Sequence, residues 1–274
     1  MKTISPLYGP IIGDIVGSFY EGRTPRNFDF KLFSRYSHFT DDTIMTIAVA
    51  HGLTSNNPDK GKVLQQYALM YPDAGYGDLF WKWIRSEDLQ PNDSYANGAA
   101  MRASPFGFMA QSLFEANHLA KHNASLTHSN SDAIDGAKLI AKIVFLAWRG
   151  YNKLDIKGAA ELFGKYDFNT TVQEIRDNRD KLSFDCSAIN TVKHAICAFL
   201  ESTDFESAVR LAVYIGGDTD TIASMAGAIA VAFYKQIPEF MVKEANERLH
   251  PSLIDVIDYF DECLPSPGKV TMIL

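Results

Sequence analysis

Residues 216–234 read GGDTDTIASMAGAIAVAFY, and this run constrains the fold more than any other. Past Asp220 it is a helix-length stretch with small residues nearly all round: Ala223, Ser224, Ala226, Gly227, Ala228 and Ala230. A helix with no polar face has nothing to give to water, so it belongs in the middle of a bundle. Its small side chains let neighbouring helices approach closely. Its N-terminus, with Asp218 and Asp220, is thereby carried inside the protein or to the floor of a cleft. A second apolar segment starts in the same way. FTDDTIMTIAVA runs from Asp41 and Asp42 straight into Ile44, Met45 and Ile47, and neither segment offers Lys or Arg until well past its acids.

The remaining pattern is helical. In SAINTVKHAICAFLES, Ile189, Val192, Ile196 and Phe199 fall on one helical stripe, and DAIDGAKLIAKIVFLAWRG repeats it through Ile134, Ala137, Ile140, Ala141, Val144 and Phe145. DFESAVRLAVYIG carries a start signal at Asp204 and a stop at Gly216. PEFMVKEANERL and PSLIDVIDYFDECL each open with Pro at a first turn. No run of two-residue alternation is long enough for a sheet. The expectation is an all-α chain of roughly ten to twelve helices at ordinary helix lengths. The clearest polar breaks are 54–61 and 122–131. The second is a candidate domain boundary, but the two acidic motifs lie on either side of it, so residues 1–274 are read as one domain.

With 274 residues, 46% hydrophobic and 22% charged, the composition is that of a globular protein. A net charge of −7 argues against nucleic acid as the main partner. Cys186, Cys197 and Cys263 form no CxxC pair, so free thiols are expected, with Cys186 and Cys197 as small core residues. The N-terminus lacks the apolar core of a signal peptide, and no run of 18 apolar residues suggests a membrane span. A cytoplasmic protein is expected.

The acids admit two readings. One acid per helix is explained by capping and by the helix dipole. Capping does not need Asp41 beside Asp42, or Asp218 two residues from Asp220, and surplus buried carboxylates repel one another. A divalent cation removes the conflict. Carboxylates and the hydroxyls of Thr40 and Thr221 are hard oxygen ligands suited to magnesium, manganese or calcium. A D-x-D pattern also opens phosphatases of the haloacid dehalogenase type, after a strand near the N-terminus. Here the fifth position is Ile222 and the run opens a helix near the C-terminus, which disfavours that reading.

Three other stretches bear on chemistry. GDIVGSFYEG (13–22) has three glycines and two acids. It reads either as a tightly packed first helix stopped at Gly22 with Glu21 on the surface, or as one that turns Glu21 toward the cleft as a proton acceptor. NDSYANGAAMRASPFG (92–107) reads as a loop feeding a helix. The amides of Gly98, Ala99, Ala100 and Met101 form a candidate anion site, with Arg102 pairing to a phosphate or to an aspartate. The alternative is an ordinary surface loop. His128, in SLTHSN, reads from its polar setting as a cap-region or surface residue.

Taken in order, GDIVGSFYEG, FTDDTIMTIAVA, SYANGAAMRASPFG, LTHSN and IGGDTDTIASMAGAIAVAFY resemble the ADP-ribosylglycohydrolase family across nearly the whole chain. The resemblance implies a compact orthogonal bundle of α-helices with two magnesium or manganese ions at the bottom of a cleft. It implies Thr40, Asp41 and Asp42 as the first metal-binding triplet and Asp218, Asp220 and Thr221 as the second. It matches Glu21 to an acid that gates the metals near the reaction centre. It matches Asn97 to Arg102 to the loop around the diphosphate and distal ribose, and His128 to a position near the substrate. Catalysis is then expected from Glu21, Asp41, Asp42 and Asp220. Many members have glycine where this chain has Ala96, which bears on the width of the phosphate loop.

The leading expectation is a metal-dependent hydrolase that cleaves the C1″ glycosidic bond of ADP-ribose on a protein side chain or small conjugate, with the bond class and not the aglycone expected from the sequence. The alternatives are a non-hydrolysing, metal-dependent ADP-ribose-binding regulator and a hydrolase for another nucleotide-sugar ligand. A monomer is expected.

Overall fold

The computed structural model describes residues 3–55, 57, 59–179, 185–265 and 270–273. Residues 56 and 58 of the first polar break lie outside the described residues. The chain opens with strand β1 (Thr3–Ile4) and helix α1 (Tyr8–Ser18), then α2 (Asp41–Thr54), α3 (Lys60–Met70) and α4 (Asp78–Ile84). Two short helices, α5 (Gly98–Met101) and α6 (Ser104–Met109), lead to α7 (Leu113–Ala124) and the long α8 (Ser131–Trp148). There follow α9 (Lys153–Glu161), α10 (Val172–Arg179), α11 (Ala188–Glu201), α12 (Phe205–Ile215) and α13 (Thr219–Tyr234). Strand β2 (Gln236–Pro238), α14 (Glu239–Asn246), α15 (Pro251–Cys263) and β3 (Val270–Ile273) complete it. The fold class is all-α. Among the described residues, no helix is long and apolar enough to cross a membrane.

Helix α13 is the axis. It packs on α1, α8, α11 and α12, and its residues from Thr219 to Ala232 are all buried. Its closest partner is α1, through a seam of glycines. A Cβ at Gly9 would strike Val231, one at Gly13 the Ala223 carbonyl, and one at Gly17 the Thr219 carbonyl; Gly227 meets the Gly9 carbonyl from the other side. Only residues without side chains let two backbones touch in this way. The four-residue spacing of Gly9, Gly13 and Gly17 puts all three on one helical face. The seam holds the C-terminal end of α1 against the N-terminal end of α13, where the acids lie.

Capping signals behave as their chemistry dictates. Asp204 caps α12 in a reciprocal box with Ser207, and Gly216 ends that helix at φ 85°. Pro251 sits in the first turn of α15, and Pro238 directly precedes α14. Several expectations need correction. There are fifteen helices among the described residues, because α4, α5 and α6 have only 7, 4 and 6 residues, too few to show a period. A small sheet exists in the order β1-β3-β2, with β1 antiparallel and β2 parallel to β3. Its strands of two to four residues are too short for alternation to be visible. Helix α1 ends at Ser18, and Gly22, at φ 66°, turns the chain four residues later. The polar break at 122–131 shrinks to the six residues 125–130, since α7 runs through Ala124.

Candidate metal and nucleotide site

A cleft of about 520 Å³ opens above the N-termini of α2 and α13. Ligand clefts commonly have volumes of about 300–1,000 Å³. Its floor and walls include Glu21, Thr40, Asp41, Asp218, Asp220 and Thr221, and the loop residues Asn97, Gly98, Met101 and Arg102. The two acidic motifs, 176 residues apart when counted from Asp42 to Asp218, thus meet at one place.

Helix α2 starts with Thr40 as its cap, whose hydroxyl accepts the Asp42 amide at 3.2 Å. Both acids that follow are surplus to capping. Asp42 is 1% exposed; its Oδ2 accepts the Thr221 hydroxyl at 2.9 Å, and among the described residues its Oδ1 has no hydrogen-bond partner. A buried, unpaired carboxylate oxygen is costly. Asp218 precedes α13 without capping it; its Oδ2 accepts from Asn97 Nδ2 at 2.6 Å. The positive φ angles of Gly216 and Gly217, 85° and 81°, turn the chain into this position. Thr219 then anchors the helix start by donating to the Gly17 carbonyl at 2.8 Å.

Carboxylate oxygens from Asp14, Asp42 and Asp220 lie within 4.8 Å of one another, and so do those from Glu21, Asp218 and Asp220. Asp220 belongs to both trios. Among the described residues, Asp14, Asp42 and Asp220 make no ion pair; the ion pairs lie elsewhere, as in Lys165 with Asp132 and Asp135. The consequence is a set of carboxyls held above their ordinary range. Burial raises Asp42 and Asp220 first, and neighbouring carboxylates raise them further, Asp14 chiefly for Asp42 and Asp218 for Asp220. Asp41 is pushed up to about 8 by burial and then by Asp14 and Asp218. Burial of its carboxyl and the charge of Asp218 raise Glu21 as well, although the residue stands exposed at the cleft wall. Such a cluster of hard, mutually repelling oxygens suits a divalent cation. Asp41 lines the cleft but joins neither trio.

The phosphate-loop candidates divide. Asn97, Gly98, Met101 and Arg102 reach the cleft; Ala99 and Ala100 do not, being 2% and 0% exposed and packed beneath. The amides of Ala100 and Met101 donate to the Asn97 carbonyl at 2.7 and 3.0 Å, so the second half of the loop is held by the protein itself. Arg102 is fully buried. Its Nε donates to Asn123 Oδ1 at 3.0 Å, Nη1 to the Gly98 carbonyl at 2.6 Å and Nη2 to Thr127 Oγ1 at 2.7 Å. The guanidinium therefore braces the loop, and burial lowers its pKa to about 10.

His128 is not a surface residue: it is 6% exposed and lines the cleft. Long-range pairing carries it inside, since Asn92 and His128 form an isolated bridge. Its Nδ1 is 2.7 Å from Thr127 Oγ1, and burial, aided by Arg102, depresses its pKa to about 3, which keeps the ring neutral. Asn130, two residues on, is the actual cap of α8. Cys197 is buried as expected, but Cys186 lies half-buried on the cleft wall, and its carbonyl accepts the Asn97 amide at 2.9 Å.

Comparison with known proteins agrees with this geometry. The family described as ADP-ribosylglycohydrolase matches residues 2–264. The chain belongs to the ADP-ribosylglycohydrolase family. It is similar to ADP-ribosylhydrolase ARH3 of Homo sapiens, 28% identical over 311 residues that cover 85% of this chain and 86% of the relative. It is also similar to ADP-ribosylarginine hydrolase Tri1 of Pseudomonas putida, 26% identical over 176 residues, 61% of this chain and 47% of the relative. A solved structure described as an ADP-ribosylglycohydrolase-related protein complex shares the fold. Its TM-score is 0.72 at 23% identity, covering 94% of this chain and 96% of that one. ADP-ribosyl hydrolysis is thus the activity class to which the chain is related.

In this family member one residue of the acidic floor had no separate sequence signal. Asp14 is fully buried in α1 and accepts four hydrogen bonds from Thr40 and Thr43. The glycines at positions 9, 13 and 17 are the pattern that marks its helix as one in close contact with another.

Proposed function

We propose that the chain is a divalent-cation-dependent hydrolase that releases ADP-ribose from a protein side chain or small conjugate by cleaving the C1″ glycosidic bond. The observation that carries this reading is the buried Oδ1 of Asp42, without a hydrogen-bond partner among the described residues, in a cluster where Asp14, Asp42 and Asp220 make no ion pair among those residues. The donor set fits two magnesium or manganese ions held by Thr40, Asp41, Asp42, Asp218, Asp220 and Thr221. Asp220, which belongs to both carboxylate trios, is suited to serve both ions. Bound there, the ions supply Lewis acidity and a template for the distal-ribose hydroxyls.

The remaining work falls to the chain. Asn97 fixes Asp218, and Arg102 holds the loop that faces the nucleotide. Neutral His128 offers a ring nitrogen to a polar group of the ligand without adding charge. Glu21, with its carboxyl raised above the usual range and exposed at the wall, is suited to exchange a proton with the reacting water or the leaving group.

Release of ADP-ribose from arginine- and serine-linked peptides, with magnesium or manganese and then with EDTA, tests the reading. Metal-dependent release from either peptide supports it. Metal-dependent ADP-ribose binding without release from any conjugate would leave a binding protein instead. Glu21→Gln is expected to lower turnover about 10²- to 10⁴-fold, the usual contribution of a positioned acid or base, with little change in metal affinity. Equal loss of both would make Glu21 a ligand.

A further inference from the structure

We propose that Asp14 makes Thr40 a cation ligand by holding its hydroxyl proton, and that Asp14 is not a ligand itself. The inference rests on the cation-holding reading of the site given above. Asp14 is fully buried in α1, opposite the first turn of α2. Its Oδ1 accepts the Thr40 hydroxyl at 2.7 Å. Its Oδ2 accepts the Thr40 amide at 2.9 Å, the Thr43 amide at 3.1 Å and the Thr43 hydroxyl. Four donors from the start of α2 thus converge on this one carboxylate, three on Oδ2 and one on Oδ1.

These bonds settle the direction of one proton. A threonine hydroxyl has one hydrogen and two lone pairs. At Thr40 the hydrogen goes to Asp14 and one lone pair accepts the Asp42 amide at 3.2 Å. The second lone pair is what Thr40 can offer to the cleft it lines. Thr221 is treated alike, since its hydroxyl donates to Asp42 Oδ2 at 2.9 Å. In both threonines a carboxylate takes the proton and leaves the oxygen as an acceptor. For Thr221 that carboxylate is itself a candidate ligand. For Thr40 it is Asp14, a positioning residue behind the ligands. Such outer partners typically set 10- to 100-fold in metal affinity.

Asp14→Asn is nearly isosteric and inverts this one bond. With the amide oxygen kept at the position that receives three donors, the NH₂ faces Thr40 Oγ1. The Thr40 hydrogen then has to leave Asp14 and turn toward the cleft, where it opposes a cation. The full chain is titrated with Mn²⁺ alone, and free Mn²⁺ is read by electron paramagnetic resonance. The proteins are wild type, Asp14→Asn, Thr40→Val and the double variant, each checked by circular dichroism.

The expected result is an unchanged number of bound ions in Asp14→Asn, with one site weakened about 10- to 100-fold. The double variant should bind no more weakly than Thr40→Val alone, because Asp14 acts through Thr40. Affinity within twofold of wild type in Asp14→Asn overturns the proposal. So do losses that multiply in the double variant, and so does a lost ion, which would make Asp14 a ligand. Wild type that binds no Mn²⁺ sinks the cation reading as a whole, a result distinct from these. If Asp14→Asn does not fold, the wild-type Thr40 hydroxyl proton decides. A low-field resonance protected from water supports donation to Asp14, and exchange at the rate of an exposed hydroxyl refutes it.

Discussion

The start of α12 and the starts of α2 and α13 use the same residue type to different ends. At α12 one acid, Asp204, accepts the Ser207 amide at 2.7 Å, and Ser207 answers by accepting the Asp204 amide at 3.0 Å, while the second, Glu206, pairs with Arg210 at 2.7 Å. Asp204 is exposed and its local role is complete. At α2 the cap is Thr40, so Asp41 and Asp42 cap nothing. At α13 Asp218 occupies the cap position, yet no side-chain capping bond forms, and its oxygen turns to Asn97. An acid that caps is explained by its own helix. Acids that sit at buried helix starts without capping are not explained by their own helix, and the glycine seam between α1 and α13 brings them together at the cleft floor.

The largest effect that would sharpen this contrast is at Asp42. Asp42→Asn is expected to reduce ADP-ribose release to background while the protein, in EDTA, melts at or above the wild-type temperature, because a buried carboxylate repulsion is relieved. A clearly lower melting temperature in EDTA would mean that Asp42 is a structural acid like Asp204. Next in size is Gly13→Ala. The added methyl meets the Ala223 carbonyl, and overpacking of this kind costs about 1–3 kcal/mol. Thermal unfolding should fall accordingly, and Mn²⁺ affinity with it, since the seam sets the distance between the two motifs. Lost stability with unchanged Mn²⁺ affinity would separate the seam from the site.

The pH dependence of the metal-free protein follows from the same comparison. The folded state holds protons on Asp41, up to about pH 8, that the unfolded chain releases near pH 4. Stability therefore falls as pH rises through that interval. His128 works in the opposite sense below about 6.5, because the folded ring stays neutral down to about 3. Lys153, lowered to about 8 by burial, opposes it again at the upper end. The unmixed window is about pH 6.5 to 7.5. There the melting temperature in EDTA is expected to decline with pH, and saturating magnesium should flatten the slope. A rise across that window in EDTA would contradict the raised carboxyls. The smallest effect is at the ordinary cap: Asp204→Ala should cost about 1 kcal/mol of stability and leave turnover unchanged.

The two acidic motifs were legible because each is contiguous in sequence and sits at the start of an apolar helix, where capping accounts for one acid and leaves others over. The bundle was legible through the small residues of α13 and the stripes of α8 and α11. Asp14 was not singled out, because one acid in an apolar helix says nothing until the partner donors of Thr40 and Thr43 are brought to it. His128 was misplaced toward the surface, and the role of Arg102 was left open between a ligand contact and a surface loop, for a related reason. The sequence neighbours of His128 are mostly polar, and the Asn92–His128 bridge and the bonds from Arg102 to Asn123 and Thr127 are long-range. The three strands were invisible because pairing across more than 260 residues for β1 with β3, and 35 for β2 with β3, leaves no trace in two to four residues.

The measurement that tests the central claim most directly is calorimetric titration of ADP-ribose into the wild-type protein, first with magnesium and then with EDTA. The account predicts binding with magnesium and its loss in EDTA. Equal binding in both, or none in either, would contradict a cation-built ADP-ribose site on the floor of this cleft.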